Sequence, residues 1–257
     1  MSTSNFQSST ANEHTDFGKY ILRDKLSLNL PNNEIICTRL NDTSFSYKRD
    51  SQETDPVKKV IHSQTADFEI GLMPLLPIHV PSYKTDFFFM RFTEQMYISQ
   101  HSVAEMLISF PIDIGVFLVE NDKAGLLDSF SCDMTNSRFA LYGPPDNGKL
   151  CKYVQIPIED QSVQQPFVHT QIKLRIANEL DEGVMVGKIV FPVTDHKLYY
   201  KHSSAVMDGL TATIKSRIGV TVVDTVQNPI SGIEGWMQAL RDVQVTDYKF
   251  SMEKGFD

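Results

Sequence analysis

Hydrophobic residues recur at every second position along much of this chain. Lys25–Leu30 sets Leu26, Leu28 and Leu30 on one face against Lys25, Ser27 and Asn29, and residues 171–176 set Ile172, Leu174 and Ile176 against Gln171, Lys173 and Arg175. A period of two marks a half-buried strand, because successive side chains of an extended backbone point to opposite faces. Phe45 with Tyr47, Phe139 with Leu141, and Ala212 with Ile214 share faces in the same way. Residues 87–90 and 184–191 are apolar with little alternation, which predicts central strands covered on both faces. Cys151 and Tyr153 give way to Val154 and Ile156, and Val243 and Val245 to Tyr248 and Phe250; a bulge would explain each change of face. Pro74, Pro77 and Pro81 predict an extended crossing segment at a sheet edge.

Many short strands punctuated by turns predict an all-β fold, an antiparallel β-sandwich, either single or as two tandem sandwiches. One short helix is expected near the C-terminus, over residues 231–242. There Ser231 and Glu234 form a capping box, and Ile233, Met237 and Leu240 share a helical face. A second S-x-x-E, Ser102 to Glu105, leads into a segment that Pro111 and its β-branched neighbours turn towards strand.

The polar, Gln-rich stretch 158–166 is the best linker. It separates a β-sandwich domain (17–157) from a second β-rich domain, or extension of the same sandwich (167–257), and a disordered polar tail (1–16) is expected ahead of them. Ile-Gly-Val recurs at 114–116 and 218–220, which keeps a duplicated sandwich open.

Composition narrows the function classes. The 257 residues carry 24 Lys and Arg against 32 Asp and Glu, a formal net charge of -8 that opposes the phosphate attraction behind nucleic-acid binding. Cys37, Cys132 and Cys151 form no C-x-x-C, so neither a disulfide framework nor a zinc ribbon is indicated, and a reducing compartment fits best. The first residues lack the basic and apolar regions of a signal peptide. The most apolar window, 103–119, is interrupted by Glu105, Pro111 and Asp113 and is shorter than the roughly 20 residues that span a bilayer. A cytoplasmic protein without membrane insertion is expected.

Residues 137–156 offer a phosphate motif and withdraw it. Gly143, Gly148 and Lys149 have P-loop spacing, but Leu150 stands where a magnesium-binding Ser or Thr is needed. Pro144 and Pro145 delete two N–H donors, and the following run reads as strand. Asp146-Asn147-Gly148 is turn chemistry, so a β-hairpin is expected, with the glycines serving backbone geometry. The seven histidines show no metal-ligand spacing, although His196 and His202 lie near Asp195 and flank KLYYK, where a turn would let them converge. No G-x-S-x-G elbow is present, and the cysteines read as small core residues. No catalytic residue, metal or cofactor follows from the sequence.

The candidates for ligand or partner contact are Tyr47 and Arg49, on one strand face, and Tyr142 and Lys149, at the ends of the hairpin loop. Core packing and cross-strand pairing account for such groupings equally well.

SYKRD at 46–50, IGLMPLLPI at 70–78, SFPIDIGVFLV at 109–119 and SRFALYGPPDNGKLCKYV at 137–154, taken in order, resemble an uncharacterised archaeal family, domain of unknown function 432. The likeness covers about 17–225. It implies a β-rich cytosolic protein, with members encoded near or associated with small-conductance mechanosensitive channels, and it carries over no catalytic residue. A non-catalytic binding or regulatory protein, acting on a protein partner, a small ligand or such a channel, is therefore expected. The alternative is a β-sandwich hydrolase of carbohydrate or phosphate esters whose site is assembled from distant residues.

Overall fold

The alternating segments become strands wherever they fall among the described residues. The computed structural model describes residues 15–52, 54–63, 68–78, 85–120, 123–133, 138–144, 146–158, 165–193, 196–216, 221–226 and 235–240. In chain order the strands are β1 (Gly18–Leu22), β2 (Lys25–Leu30), β3 (Asn33–Asn41), β4 (Ser44–Ser51), β5 (Val57–His62), β6 (Phe68–Leu75), β7 (Phe87–Ile98), β8 (Val103–Pro111), β9 (Asp113–Glu120) and β10 (Lys123–Ser131). They continue as β11 (Arg138–Tyr142), β12 (Lys149–Ile156), β13 (His169–Asn178), β14 (Val184–Pro192), β15 (Leu198–Lys201), β16 (Ser204–Met207), β17 (Gly209–Ile214), β18 (Thr221–Val226) and β19 (Met237–Gln238). The described residues contain no helix.

Four sheets result. β2-β3-β4-β5 is a meander; β1-β6-β9-β10 and β11-β12-β7-β14 are the other four-stranded sheets. The largest runs β18-β17-β13-β16-β15-β19, with β8 on the opposite side of β13. Pairing is mostly antiparallel, as expected of a sandwich. β12 with β7, and β13 with both β16 and β17, are parallel. β8 pairs β13 and β7 pairs β14, so pairing crosses the 158–166 boundary. The core is continuous across sheets: Phe88 of β7, Phe110 of β8 and Phe191 of β14 pack with ring centroids 4.8–6.3 Å apart. Burial of such side chains is the main favourable term in folding.

Several sequence expectations need correction. Within the predicted helix 231–242, only 235–240 are described, and there Gly235 turns (φ 80°) into β19, which pairs with β15. The capping-box residues Ser231 and Glu234 lie outside the described residues. A sheet edge needing a partner overrode the helical spacing of Met237 and Leu240.

Pro74 lies in β6, a strand paired on both sides, rather than in a crossing segment at an edge. It is tolerated because β1 reaches only as far as Leu72, leaving β9 as the one neighbour at Pro74. Strand β14 is an edge strand rather than a central one, and its burial alternates only weakly.

β12 has no bulge: its register is unbroken against both β11 and β7. What masks its period is Lys152, a buried cation that shares the core-facing side with Val154 and Ile156. The switch at 243–250 lies outside the described residues, as do residues 1–14 of the predicted tail and 159–164 of the predicted linker. Thr15 and Asp16 are described and engaged; Thr15 Oγ1 accepts from the Asn29 N–H at 3.0 Å.

Candidate functional site

A slip in strand register builds a recess among the described residues. Val186 of β14 faces Met96 of β7, yet Lys188 faces Arg91, so residues 92–95 stand opposite Gly187 alone. β7 must bow there, as at any bulge. Gly187 gives it room: a Cβ at this position would stand 3.1 Å from Gln95 Cγ. Because β14 is an edge strand, its unpaired side opens on a cleft of about 500 Å³. Residues 184–189 form one wall, and Ile176 of β13 with Ala212 and Ile214 of β17 form the other. An adjoining recess of about 260 Å³ shares Arg91, Gln95 and Gly187 and adds Thr93, Tyr153 and Gln155.

The charge of this cleft is one-signed. Arg91 and Lys188 are direct cross-strand partners, both exposed, and among the described residues neither forms an ion pair. Lys188 Nζ lies 5.6 Å from the Tyr142 ring centroid. Like charges directly opposite one another destabilise a sheet, so the pair costs stability where it stands. A guanidinium beside an ammonium suits a carboxylate or phosphate, and the side-chain amides of Gln95 and Gln155 add neutral donors. Among the described residues, no Asp, Glu, His or Cys lines either recess. The arrangement can bind and orient an anion; it lacks the carboxylate, imidazole or thiol that acid–base or nucleophilic chemistry uses most often.

The predicted contact residues fall into two separate places. Tyr47 and Arg49 share the buried face of β4 and converge on Asp128 of β10. Tyr47 Oη donates to Asp128 Oδ2 at 2.7 Å, and Arg49 Nε donates to the same oxygen at 2.8 Å. Arg49 also donates to Asn33 Oδ1 and Thr54 Oγ1 and lies over the Phe130 ring. Burial, then Asp128, pushes the Tyr47 phenol up. This cluster joins the β2–β5 meander to β10.

Tyr142 and Lys149 are register partners at the ends of the hairpin loop. Tyr142 lines the cleft and packs edge-on against Phe89, whereas Lys149 turns away and places Nζ 4.0 Å from the Phe87 ring centroid. The loop is a turn, as the sequence predicts: Gly143 has φ 107°, and a Cβ on Gly148 would stand 2.7 Å from the Pro144 carbonyl oxygen.

Other titratable groups serve elsewhere. Lys152 Nζ lies 4.0 Å from Asp113 Oδ2, where burial pulls the ammonium below its usual range while Asp113 and Asp133 pull it back. His196 is buried against Phe191, and His202 is exposed beside Asp16, so the two do not converge. Among the described residues no three His, Cys, Asp or Glu side chains group as metal ligands. All three thiols are buried and free, and burial pushes Cys37 and Cys132 up to about 12.

Arg91, Gln95 and Lys188 escaped the sequence reading. The available signal was a cation directly after each of two apolar runs, Phe-Phe-Phe-Met-Arg and Val-Met-Val-Gly-Lys. Their pairing depends on a register slip that no local spacing encodes.

Among the described residues no helix is long and apolar enough to cross a membrane. No curated protein and no solved structure matches the chain. A family model does match, over residues 17–255, and its description is "Protein of unknown function (DUF432)". With nearly the whole chain covered by that match, as the ordered motifs from 46 to 154 foreshadow, the protein belongs to this family of unknown function.

Proposed function

We propose that this is a non-catalytic binding protein that takes a small anionic ligand in the cleft beside β14. The observation that carries the reading is the Arg91–Lys188 pair, set side by side at the cleft with no acidic residue among the described residues that line it. The repulsion between them is relieved when an anion sits between them, so ligand binding and sheet stability are coupled. The cleft volume lies in the range of small-molecule sites.

The test is thermal unfolding with phosphate, citrate and octanoate at constant ionic strength, for the unaltered chain and an Arg91→Ala/Lys188→Ala variant. At a ligand concentration about 100 times Kd, a bound anion raises the melting temperature by roughly 5–10 °C. The variant loses that rise. If no anion shifts the melting temperature, or if the variant responds equally, the reading fails.

Control of a mechanosensitive channel, implied by the family resemblance, belongs to the same proposal as the step that ligand binding serves. A pull-down from native membranes, with and without ligand, that recovers no channel counts against that step alone.

A further inference from the structure

The two recesses differ in chemistry. Around Arg91 the smaller one is lined by Thr93, Gln95, Tyr153 and Gln155, all hydroxyl or amide groups, with Phe92 and Gly187 beside them. The larger one descends from the same Arg91 and Gln95 onto Ile176, Val184, Ile189, Ala212 and Ile214. Ile176, Ile189, Ala212 and Ile214 are buried within the two sheets, so they form a fixed apolar floor. Both cations line the larger recess, Arg91 where it meets the smaller one, so charge and apolar surface stand side by side in adjoining recesses.

We propose that the ligand is a single-chain amphiphile, its anionic head held by Arg91 and Lys188 and its hydrocarbon body laid along the apolar floor. This rests on the anion reading above and narrows it. A free phosphate held by Arg91 and Lys188 leaves Val184, Met185 and Val186 of the larger recess, half-buried or exposed, in water. A hydrocarbon chain takes its own methylenes out of water and covers those side chains, which adds binding free energy in proportion to the apolar area covered. A wholly apolar ligand leaves the two cations unmatched. An added peptide strand is disfavoured on β14, because Lys188 on the edge and the slip at Gly187 are the features that blunt an edge against continuous pairing. Carboxylate and phosphate heads share the chemistry the cations recognise.

The experiment is isothermal titration of the full chain with butanoate, hexanoate and octanoate, each below its micellar concentration, with octyl phosphate and octanol as further arms. Affinity rises by about fourfold per added methylene, with a single site. Octanoate and octyl phosphate both bind, and octanol binds at least roughly tenfold more weakly for want of the charged contact. The Arg91→Ala/Lys188→Ala variant loses octanoate affinity and leaves octanol unchanged. Ala212→Leu, which fills the floor, flattens the chain-length gain. Equal affinity for butanoate and octanoate, still dependent on Arg91 and Lys188, overturns the amphiphile and leaves the anion reading standing. Indifference of every anion to Arg91 and Lys188 overturns the anion reading itself. The chain-length series on the unaltered protein decides the matter even if Ala212→Leu fails to fold.

Discussion

Arg49 Nε donates to Asp128 Oδ2 at 2.8 Å, with the two side chains only 7% and 9% exposed. The same carboxylate oxygen accepts from Tyr47, so one acidic group satisfies two buried donors from the neighbouring sheet. Removing Asp128 strands a buried guanidinium. Asp128→Ala therefore lowers stability by about 3–5 kcal/mol in urea unfolding, whereas Arg49→Met with Asp128→Leu recovers most of it. If Asp128→Ala costs under about 1 kcal/mol, the cluster is not what joins β4 to β10.

Lys149 carries no phosphate-binding role in this account. Its ammonium sits over Phe87, an exposed cation–π contact of about 0.5–1 kcal/mol. Lys149→Ala lowers stability by that order. Neither ATP nor GTP gives a melting shift that depends on this residue; a nucleotide shift abolished by Lys149→Ala would reinstate the P-loop reading.

Gly115 in β9 is a packing requirement. A Cβ there would stand 2.7 Å from both Leu75 Cδ1 and Phe117 Cε2, and both side chains are buried with little room to move. Overpacking of this kind costs about 1–3 kcal/mol, so Gly115→Ala lowers the urea midpoint accordingly. An unchanged midpoint contradicts the close approach of β6 and β9.

His169 makes stability depend on pH. Burial holds its imidazole below the ordinary 6.5, against a smaller opposing pull from Asp133. Between the lowered value and 6.5 the unfolded chain binds more protons than the folded one, so stability rises with pH through that window. The contribution is complete above 6.5 and is lost as the pH falls through the folded value. Urea midpoints measured from pH 7.5 downwards show this decline, and His169→Gln removes part of it. Identical slopes in the two proteins contradict the assignment.

Much of the fold was legible because alternation is a local property. Leu28 and Leu30, or Ile172, Leu174 and Ile176, declare their buried face without reference to any partner strand. The hairpin was legible for the same reason, since Gly143 and Gly148 are demanded by the turn itself. Register, edges and charge partners are not local. Lys152 hides the alternation of β12 only because Asp113 comes from another sheet, and Met237 is strand only because β15 offers it an edge. The cleft was hardest to see for that reason. Tyr142 was picked out at the hairpin, but Arg91 and Lys188 meet through the slip at Gly187, which exists only once β7 and β14 are paired.

The most direct test of the anion-binding cleft is ¹H–¹⁵N chemical-shift mapping during an octanoate titration. The account predicts perturbations that saturate with one dissociation constant and cluster at residues 89–95, 184–189 and 212–216, around the cleft walls. Perturbations centred on the 143–148 loop or on the Tyr47–Asp128 cluster, with the cleft silent, would contradict it.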